Sequence, residues 1–182
     1  MSEKIVDTKM KELYIVDGHN FIFNYYQAKG VSSEQISYFR DQLLSDLIQF
    51  KNYNLCGVTV VFDAKYGGSI EQSKEVINGI NVIYSKGGET ADSVVERIVH
   101  SNEKYDRIFV ITSDYMQQKV IFKENVYRRS IREFAGELED FKKRISAKVS
   151  EQRVSSSQSF YSLEKRLDRG AWEKLDKIRK NK

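Results

Sequence analysis

Three short apolar runs, each leading into an aspartate, constrain the fold of this chain more than any other feature. The runs cover residues 13–16, 58–62 and 107–112, and the acids after them are Asp17, Asp63 and, beyond one serine, Asp114. Near-continuous apolar runs with β-branched residues are typical of strands covered on both faces in a parallel sheet. Because ligand sites in open α/β sheets lie at the carboxyl ends of strands, these acids are predicted to mark a functional edge.

The residues between these runs show helical spacing and helix-start signals. Capping-box patterns begin predicted helices at Ser32 and Ser130, and Thr90 can cap a helix whose first turn carries Asp92. The other predicted elements are a short helix from residue 21, a helix at 114–122, short strands at 81–84 and 126–127, and a loop at 64–79. This alternation predicts an α/β fold, a three-layer α/β/α domain with a mainly parallel central sheet.

The domain organisation follows from composition along the chain. We predict a flexible N-terminus over 1–11, one domain over 12–150, a Ser-rich linker over 151–161 and a basic amphipathic helix over 162–182. From residue 140 to the end there are 13 Lys and Arg against 6 Asp and Glu, whereas the rest of the chain has a small acidic excess. Such a basic tail suits a polyanion such as nucleic acid, although a solvated helix explains it equally well.

Several classes of protein are disfavoured by the composition. No run approaches the roughly 18 apolar residues of a membrane-spanning helix, and the N-terminal residues form no apolar signal region. The single cysteine, Cys56, leaves no internal disulfide and no Cys-rich zinc site. The glycine pairs do not extend into a nucleotide-binding P-loop. We therefore expect a cytoplasmic protein that does not associate with a membrane and has no disulfide partner.

Four aspartates at strand ends and a helix start are a metal-binding signal. Clustered carboxylates repel one another unless a cation or protons compensate, and hard oxygen ligands suit Mg²⁺ or Mn²⁺. A divalent ion held in this way typically serves phosphoryl chemistry. Taken singly, each acid has a structural explanation as a turn, loop, first-turn or capping residue. Asn20 fits a ligand or a turn, Glu89 and Ser113 are secondary candidates, and His19 fits a structural role better than a general base.

Aromatic and basic residues are frequent at the predicted loop positions. The aromatic residues are Phe23, Tyr25, Tyr26, Tyr66 and Tyr115, and the basic ones are Lys65 and Lys86, with Arg40 beside the apolar stripe of the predicted helix that begins at Ser32. Together they are suited to stacking and neutralising single-stranded RNA, while core or loop packing explains most of them individually. The hydroxyl of Ser113 suits phosphate binding or the orientation of Asp114.

The order of the motifs resembles the YacP-like branch of the NYN domains, which are relatives of PIN-domain nucleases. The motifs are Val-Asp-Gly-His-Asn at 16–20, Val-Phe-Asp-Ala at 61–64, Gly-Glu-Thr-Ala-Asp at 88–92, Thr-Ser-Asp at 112–114 and Ser-Ile-Arg-Glu-Phe at 130–134. The similarity runs from about residue 13 to 148, and residues 167–179 also resemble the final helix of that branch. Two positions depart from the pattern: His19 replaces a commoner tyrosine, and Arg169 stands where relatives often have proline.

The resemblance implies a PIN-like fold and a metal-dependent endoribonuclease. Carried over by motif, the acidic site comprises Asp17, Asp63, Asp92 and Asp114 with Asn20 beside it, and Asp17, Asp92 and Asp114 hold Mg²⁺ or Mn²⁺. Arg40 and Arg132 match basic positions that contact RNA or support the acids. A bacterial member of this branch cuts translated mRNA on the ribosome, which implies mRNA and the ribosome as partners.

Two other functions are compatible with the residues. A non-catalytic RNA- or ribosome-binding protein on the same fold is one, and the presence of all four acids argues against it. A small-molecule phosphohydrolase is the other. It lacks a nucleophile signature, because Asp17 is not followed two residues later by a second aspartate.

Overall fold

The structure, a computed structural model, describes residues 11–28, 30–63, 72–113 and 124–164, and only the backbone over 151–164. The strands are β1 (Glu12–Asp17), β2 (Gly57–Phe62), β3 (Ser73–Ile77), β4 (Ile80–Tyr84), β5 (Arg107–Ile111) and β6 (Val126–Arg129). The helices are α1 (Gly18–Tyr25), α2 (Ser33–Asn54), α3 (Ala91–Ser101) and α4 (Ile131–Glu164). The predicted helix at 114–122 lies outside the described residues.

The six strands form one sheet in the order β3-β4-β2-β1-β5-β6. All neighbours are parallel except β3, which runs antiparallel to β4. This confirms the predicted α/β fold with a mainly parallel sheet. The chain moves from β1 to β2 in one direction and crosses back from β4 to β5 in the other. The reversal places a topological switch point between β1 and β5, at the carboxyl edge where sites form in open sheets.

The sheet is covered on both faces, as alternation of side chains along a strand requires. On one face, Leu13 and Ile15 of β1 pack with Val94 and Val95 of α3 in a buried cluster. On the other face, the buried ring of Tyr14 lies 5.2 Å from that of Phe50 in α2. It also lies 5.7 Å from Phe134 in α4. Helices therefore flank the sheet as the predicted three layers.

The predicted helix starts are confirmed by their hydrogen bonds. In α2, the hydroxyl of Ser32 accepts from the backbone N–H of Gln35, whose side chain accepts from the N–H of Ser32. In α4, Ser130 and Glu133 make the same reciprocal pair. Thr90 accepts from the N–H of Ser93 at the start of α3.

Strand β3 corrects the prediction of a loop over 64–79. Its residues are mostly exposed, so the strand carries little of the apolar alternation that marks a buried strand. The overlooked signal is the Asn78-Gly79 pair, in which both residues have positive φ, 48° and 81°. Asn-Gly is favoured in two-residue hairpin turns for this reason, and it connects β3 to β4.

Helix α4 differs from the predicted Ser-rich linker, because it runs unbroken through residues 151–161. No glycine or proline occurs between residues 137 and 169, and serine costs only a few tenths of a kcal/mol per residue in a helix. The chain divides into two compact units, Met1–Leu138 and Glu139–Lys182. The predicted boundaries at residues 12, 150 and 162 stay predictions, and residues 165–182 lie outside the described part. Among the described residues, no helix is long and apolar enough to span a bilayer.

The glycine after β1 gives a test of how tightly the site edge is packed. A Cβ added at Gly18 would lie well inside van der Waals contact with the buried ring of Phe62. We expect Gly18→Ala to destabilise the protein by roughly 1–3 kcal/mol, because overpacking forces side chains to shift. Urea unfolding followed by circular dichroism measures this change.

Gly136→Ala is the matched control, since a Cβ there meets nothing within 4 Å and the residue lies inside α4. This substitution should stabilise by roughly 0.5–1 kcal/mol through helix propensity. Equal effects of the two substitutions would contradict the proposed close packing of Gly18 on Phe62.

Candidate active site at the carboxyl edge of the sheet

Asp17 ends β1 and caps α1 at the same time. Its Oδ1 accepts a hydrogen bond from the backbone N–H of Asn20 at 3.1 Å, which satisfies one of the unpaired donors at the helix start. The residue is only 7% exposed, so the strand-to-helix turn holds a carboxylate in a largely buried position. Asp17 thus lies at the carboxyl end of β1, as predicted from the sequence, and its part in a functional site stays a prediction.

Burial raises the pKa of Asp17 from 3.8 to about 6, although the N–H of Asn20 opposes the shift. The negative charges of Asp92 and then Asp63 raise this pKa further. The structure therefore brings three of the four predicted acids close enough to interact. The fourth, Asp114, lies outside the described residues.

Asp63 anchors the helix that carries Asp92. Its Oδ1 accepts from the backbone N–H of Ala91, the first residue of α3, at 3.1 Å. The same oxygen accepts from the hydroxyl of Ser85 at 3.3 Å. Because two donors already engage that oxygen, Asp63 has a structural task that the strand-end pattern alone did not reveal. Ser85 was not predicted as part of the site, and its only signal is a hydroxyl directly after an apolar strand.

His19 faces the end of β2. Its Nδ1 accepts a hydrogen bond from the backbone N–H of Asp63 at 3.0 Å, so the proton of the neutral ring sits on Nε2. Burial lowers the pKa of His19 to about 4, despite the nearby charge of Asp63. Its ring centroid lies 5.2 Å from that of Phe62. This neutral, packed imidazole agrees with the structural interpretation of His19.

Asn20 joins the turn after β1 to the end of β5. Its Nδ2 donates to the hydroxyl of Thr112 at 3.2 Å, and its Oδ1 accepts from the hydroxyl of Ser113 at 2.7 Å. Asn24 donates to the same oxygen at 2.6 Å. The side chain is thus engaged at both ends, which makes Asn20 a group that positions the two strand ends across the switch point.

The loop before α3 is held by an ion pair. Glu89, a secondary candidate from the sequence, accepts from Arg97 at 2.6 Å, and Arg97 also donates to Gln72 at 3.2 Å. The carboxylate is 10% exposed, and its Oε2 is buried without a partner among the described residues. Glu89 therefore fastens the loop that precedes Asp92 to the start of β3.

The predicted RNA-binding residues lie in different places. Arg40 in α2 reaches the carboxyl end of β4, where its Nη1 lies 3.5 Å from the hydroxyl of Tyr84. Lys86 is exposed two residues beyond β4, and Ser113 is exposed beyond β5. Arg132 is exposed in the first turn of α4, and Lys65 lies outside the described residues.

The candidate metal ligands at this edge are carboxylate and amide oxygens, the ligand type that Mg²⁺ and Mn²⁺ prefer. Within the described ranges, no three His, Cys, Asp or Glu side chains form a group that could hold a metal ion. Asp17, Asp92 and Asp114 stay the predicted metal ligands, the last of them outside those ranges.

Comparison with known proteins places this arrangement in a family. The family model for the YacP-like NYN domain matches residues 14–180. The protein YacP of Bacillus subtilis (strain 168) is 33% identical over 139 residues, covering 76% of this chain and 81% of YacP. The crystal structure of Rae1 (YacP) from Bacillus subtilis superimposes with a TM-score of 0.67 at 29% identity, covering 92% of this chain and 94% of that one. A point mutant of the same protein gives a TM-score of 0.66 at 31% identity, covering 80% and 84%.

The raised pKa of Asp17 predicts that its charge weakens the metal-free fold. A folded pKa of about 6 against 3.8 means that the native state disfavours the carboxylate at neutral pH. In EDTA at pH 7, Asp17→Asn should therefore be more stable than the parent by roughly 1–3 kcal/mol. The difference should shrink as the pH falls through 6 and vanish below about 3.8, where the parent is protonated in both states. Urea unfolding across this pH range measures it.

Asp63→Ala gives the opposite expectation and serves as the contrast. It removes the acceptor for Ala91 and Ser85, so it should destabilise by roughly 1–2 kcal/mol, as loss of a helix-end acceptor does. A parent protein that is more stable than Asp17→Asn in EDTA at pH 7 would contradict the assignment of Asp17 as the strained charge.

Proposed function

This chain belongs to the YacP-like NYN domain family, and from that premise we propose that it is a metal-dependent endoribonuclease acting on single-stranded RNA. The observation that carries the proposal is the buried carboxylate of Asp17, whose pKa is raised by burial and by the charges of two neighbouring aspartates. A buried carboxylate beside two negatively charged neighbours disfavours the folded state at neutral pH, and a bound cation would compensate it.

The residues fit a divalent metal ion. Asp17, Asp92 and Asp114 would hold Mg²⁺ or Mn²⁺, because a desolvated carboxylate with acidic neighbours and hard oxygen donors is suited to such an ion. When bound, the ion would supply a more acidic water and stabilise negative charge on the phosphate. Asp63 would serve this site mainly by holding the start of α3, and hence Asp92, in place.

Other residues of the chain would bind and orient the RNA. Ser113 is exposed, and its hydroxyl is oriented by Asn20, so it can also accept a hydrogen bond at the β5 side of the site. Arg40, Lys65, Lys86 and Arg132 would neutralise backbone phosphates of the bound RNA. The expected reaction is in-line attack of water on a phosphodiester, which leaves a 5′-phosphate and a 3′-hydroxyl.

We further propose mRNA as the substrate and the ribosome as a partner. The basic excess from residue 140 to the end supports contact with a polyanion. Ribosomal RNA and mRNA are both polyanions, so the cleavage assay below is run with and without ribosomes to distinguish them.

The test is cleavage of a reporter mRNA, with and without ribosomes, in Mg²⁺, Mn²⁺ or EDTA. We expect cleavage that depends on the metal, and a loss of about 100-fold in rate for Asp17→Asn and for Asp92→Asn, since a main source of charge stabilisation is removed. Sequencing the product ends shows whether the 5′ end carries the phosphate.

Asp106→Asn is the control, because Asp106 is exposed directly before β5, at the opposite end of the strands from the site. It should cleave at the rate of the parent. Cleavage only with ribosomes would support the ribosome as partner. Absence of cleavage under every condition, with RNA binding intact, would instead support a non-catalytic RNA-binding protein.

A further inference from the structure

The end of β4 carries the aromatic ring of Tyr84, which the guanidinium of Arg40 in α2 reaches, next to the strand that leads into Asp63. Phe62 and Tyr84 are register partners at the ends of β2 and β4, and their rings stack with centroids 5.5 Å apart and planes inclined by 22°. Phe62 is fully buried, whereas Tyr84 is partly exposed. The buried ring of Phe62 therefore fixes the orientation of the partly exposed ring of Tyr84.

Tyr84 is joined to the site by its neighbour in the chain. Ser85 follows it directly, is fully buried, and donates its hydroxyl to the carboxylate of Asp63 at 3.3 Å. In the sheet order, β4 is the strand next to β2, on the side away from β1. Nucleotides that extend from the acidic edge toward β4 would meet Tyr84 first.

Arg40 completes this surface with unused hydrogen-bond donors. Its Nη1 contacts the hydroxyl of Tyr84, and its Nε and Nη2 donate to Asp41 at 3.2 and 3.1 Å. A guanidinium has five N–H groups, so two have no partner among the described residues. The side chain is 37% exposed, which leaves it accessible to a phosphate. Burial raises the pKa of Tyr84, so its hydroxyl stays protonated at neutral pH.

We propose that Tyr84 and Arg40 form a nucleotide subsite, in which a base of the RNA strand next to the scissile phosphate stacks on Tyr84 and its phosphate binds Arg40. This subsite rests on the proposed RNA substrate, and it adds the place at which the RNA leaves the acidic site. An aromatic ring accepts any base by stacking, and Arg binds phosphate through paired N–H groups. The subsite would therefore give affinity and register with little sequence preference.

The experiment measures binding of a labelled single-stranded RNA by fluorescence anisotropy, in an Asp17→Asn background in which cleavage is expected to be about 100-fold slower. Tyr84→Leu should weaken binding about tenfold, as loss of one stacked base does, while Tyr84→Phe should stay within about twofold. Arg40→Gln should weaken binding of every sequence and reduce the salt dependence by about one counterion.

Tyr53→Leu is the matched control. Tyr53 is 46% exposed and lies in the same helix as Arg40, 13 residues later and about 20 Å along its axis. Its substitution should leave RNA affinity unchanged. Thermal unfolding of each variant verifies that it is folded.

Abasic RNA tests the stacking contact without altering Tyr84. Removing the base at one position beside the scissile phosphate should weaken binding about tenfold, and the same RNA should show no such loss in Tyr84→Leu. If no single abasic position weakens binding, or if Tyr84→Leu binds as the parent does, the subsite is overturned.

The two proposals fail in different ways. An unaltered chain that cuts RNA, with Tyr84→Leu showing the same KM and affinity, would overturn the subsite and leave the nuclease standing. A chain that neither cuts nor binds RNA would overturn both.

Discussion

The carboxylate of Asp17 is the group on which the site and its edge of the fold depend. It caps α1 through Asn20, and it is buried where β1 ends beside the negative charges of Asp63 and Asp92. Geometry and electrostatics therefore act in opposite directions at one residue, because the cap stabilises the turn while burial penalises the charge. A fold that keeps this carboxylate gives up stability at neutral pH, and the metal ion proposed here would recover it by linkage.

Asp63 has a task different from that of Asp17, and the hydrogen bonds of the two carboxylates distinguish them. Asp63 receives donors from Ser85 and from the first residue of α3, while its own backbone N–H is held by His19. These bonds connect three elements, the α1 turn, the end of β2 and the start of α3. The position of Asp92 thus follows from Asp63 and its partners. The acids look equivalent in the sequence, but among the described ones Asp63 holds the start of α3, which carries Asp92, while Asp17 caps α1.

Much of this architecture can be predicted from local sequence. The elements that could not be predicted have physical reasons. The apolar runs before Asp17 and Asp63 and the capping boxes at Ser32 and Ser130 predict elements that the structure confirms, because period and capping are short-range properties. Strand β3 escaped detection because an exposed edge strand carries no buried alternation. The length of α4 was not predicted, because serine is tolerated in a helix that contains no proline. The roles of Ser85 and Tyr84 depend on which strands are neighbours, and strand order is a long-range property that one sequence does not display.

The two sides of the switch point differ in chemistry, and this difference bears on how a strand of RNA would lie. On the β5 side, Asn20, Thr112 and Ser113 form a network of small polar groups whose donors and acceptors are mutually engaged. On the β4 side, Phe62 supports Tyr84, and Arg40 keeps unused donors. Side chains that already bond to one another hold the ends of β1 and β5 in place. A partly exposed ring and a guanidinium with unused donors instead suit a flexible nucleotide that arrives with any base. In the proposed nuclease, the β5 side therefore positions the turn that carries Asp17, and the β4 side is suited to binding the RNA strand.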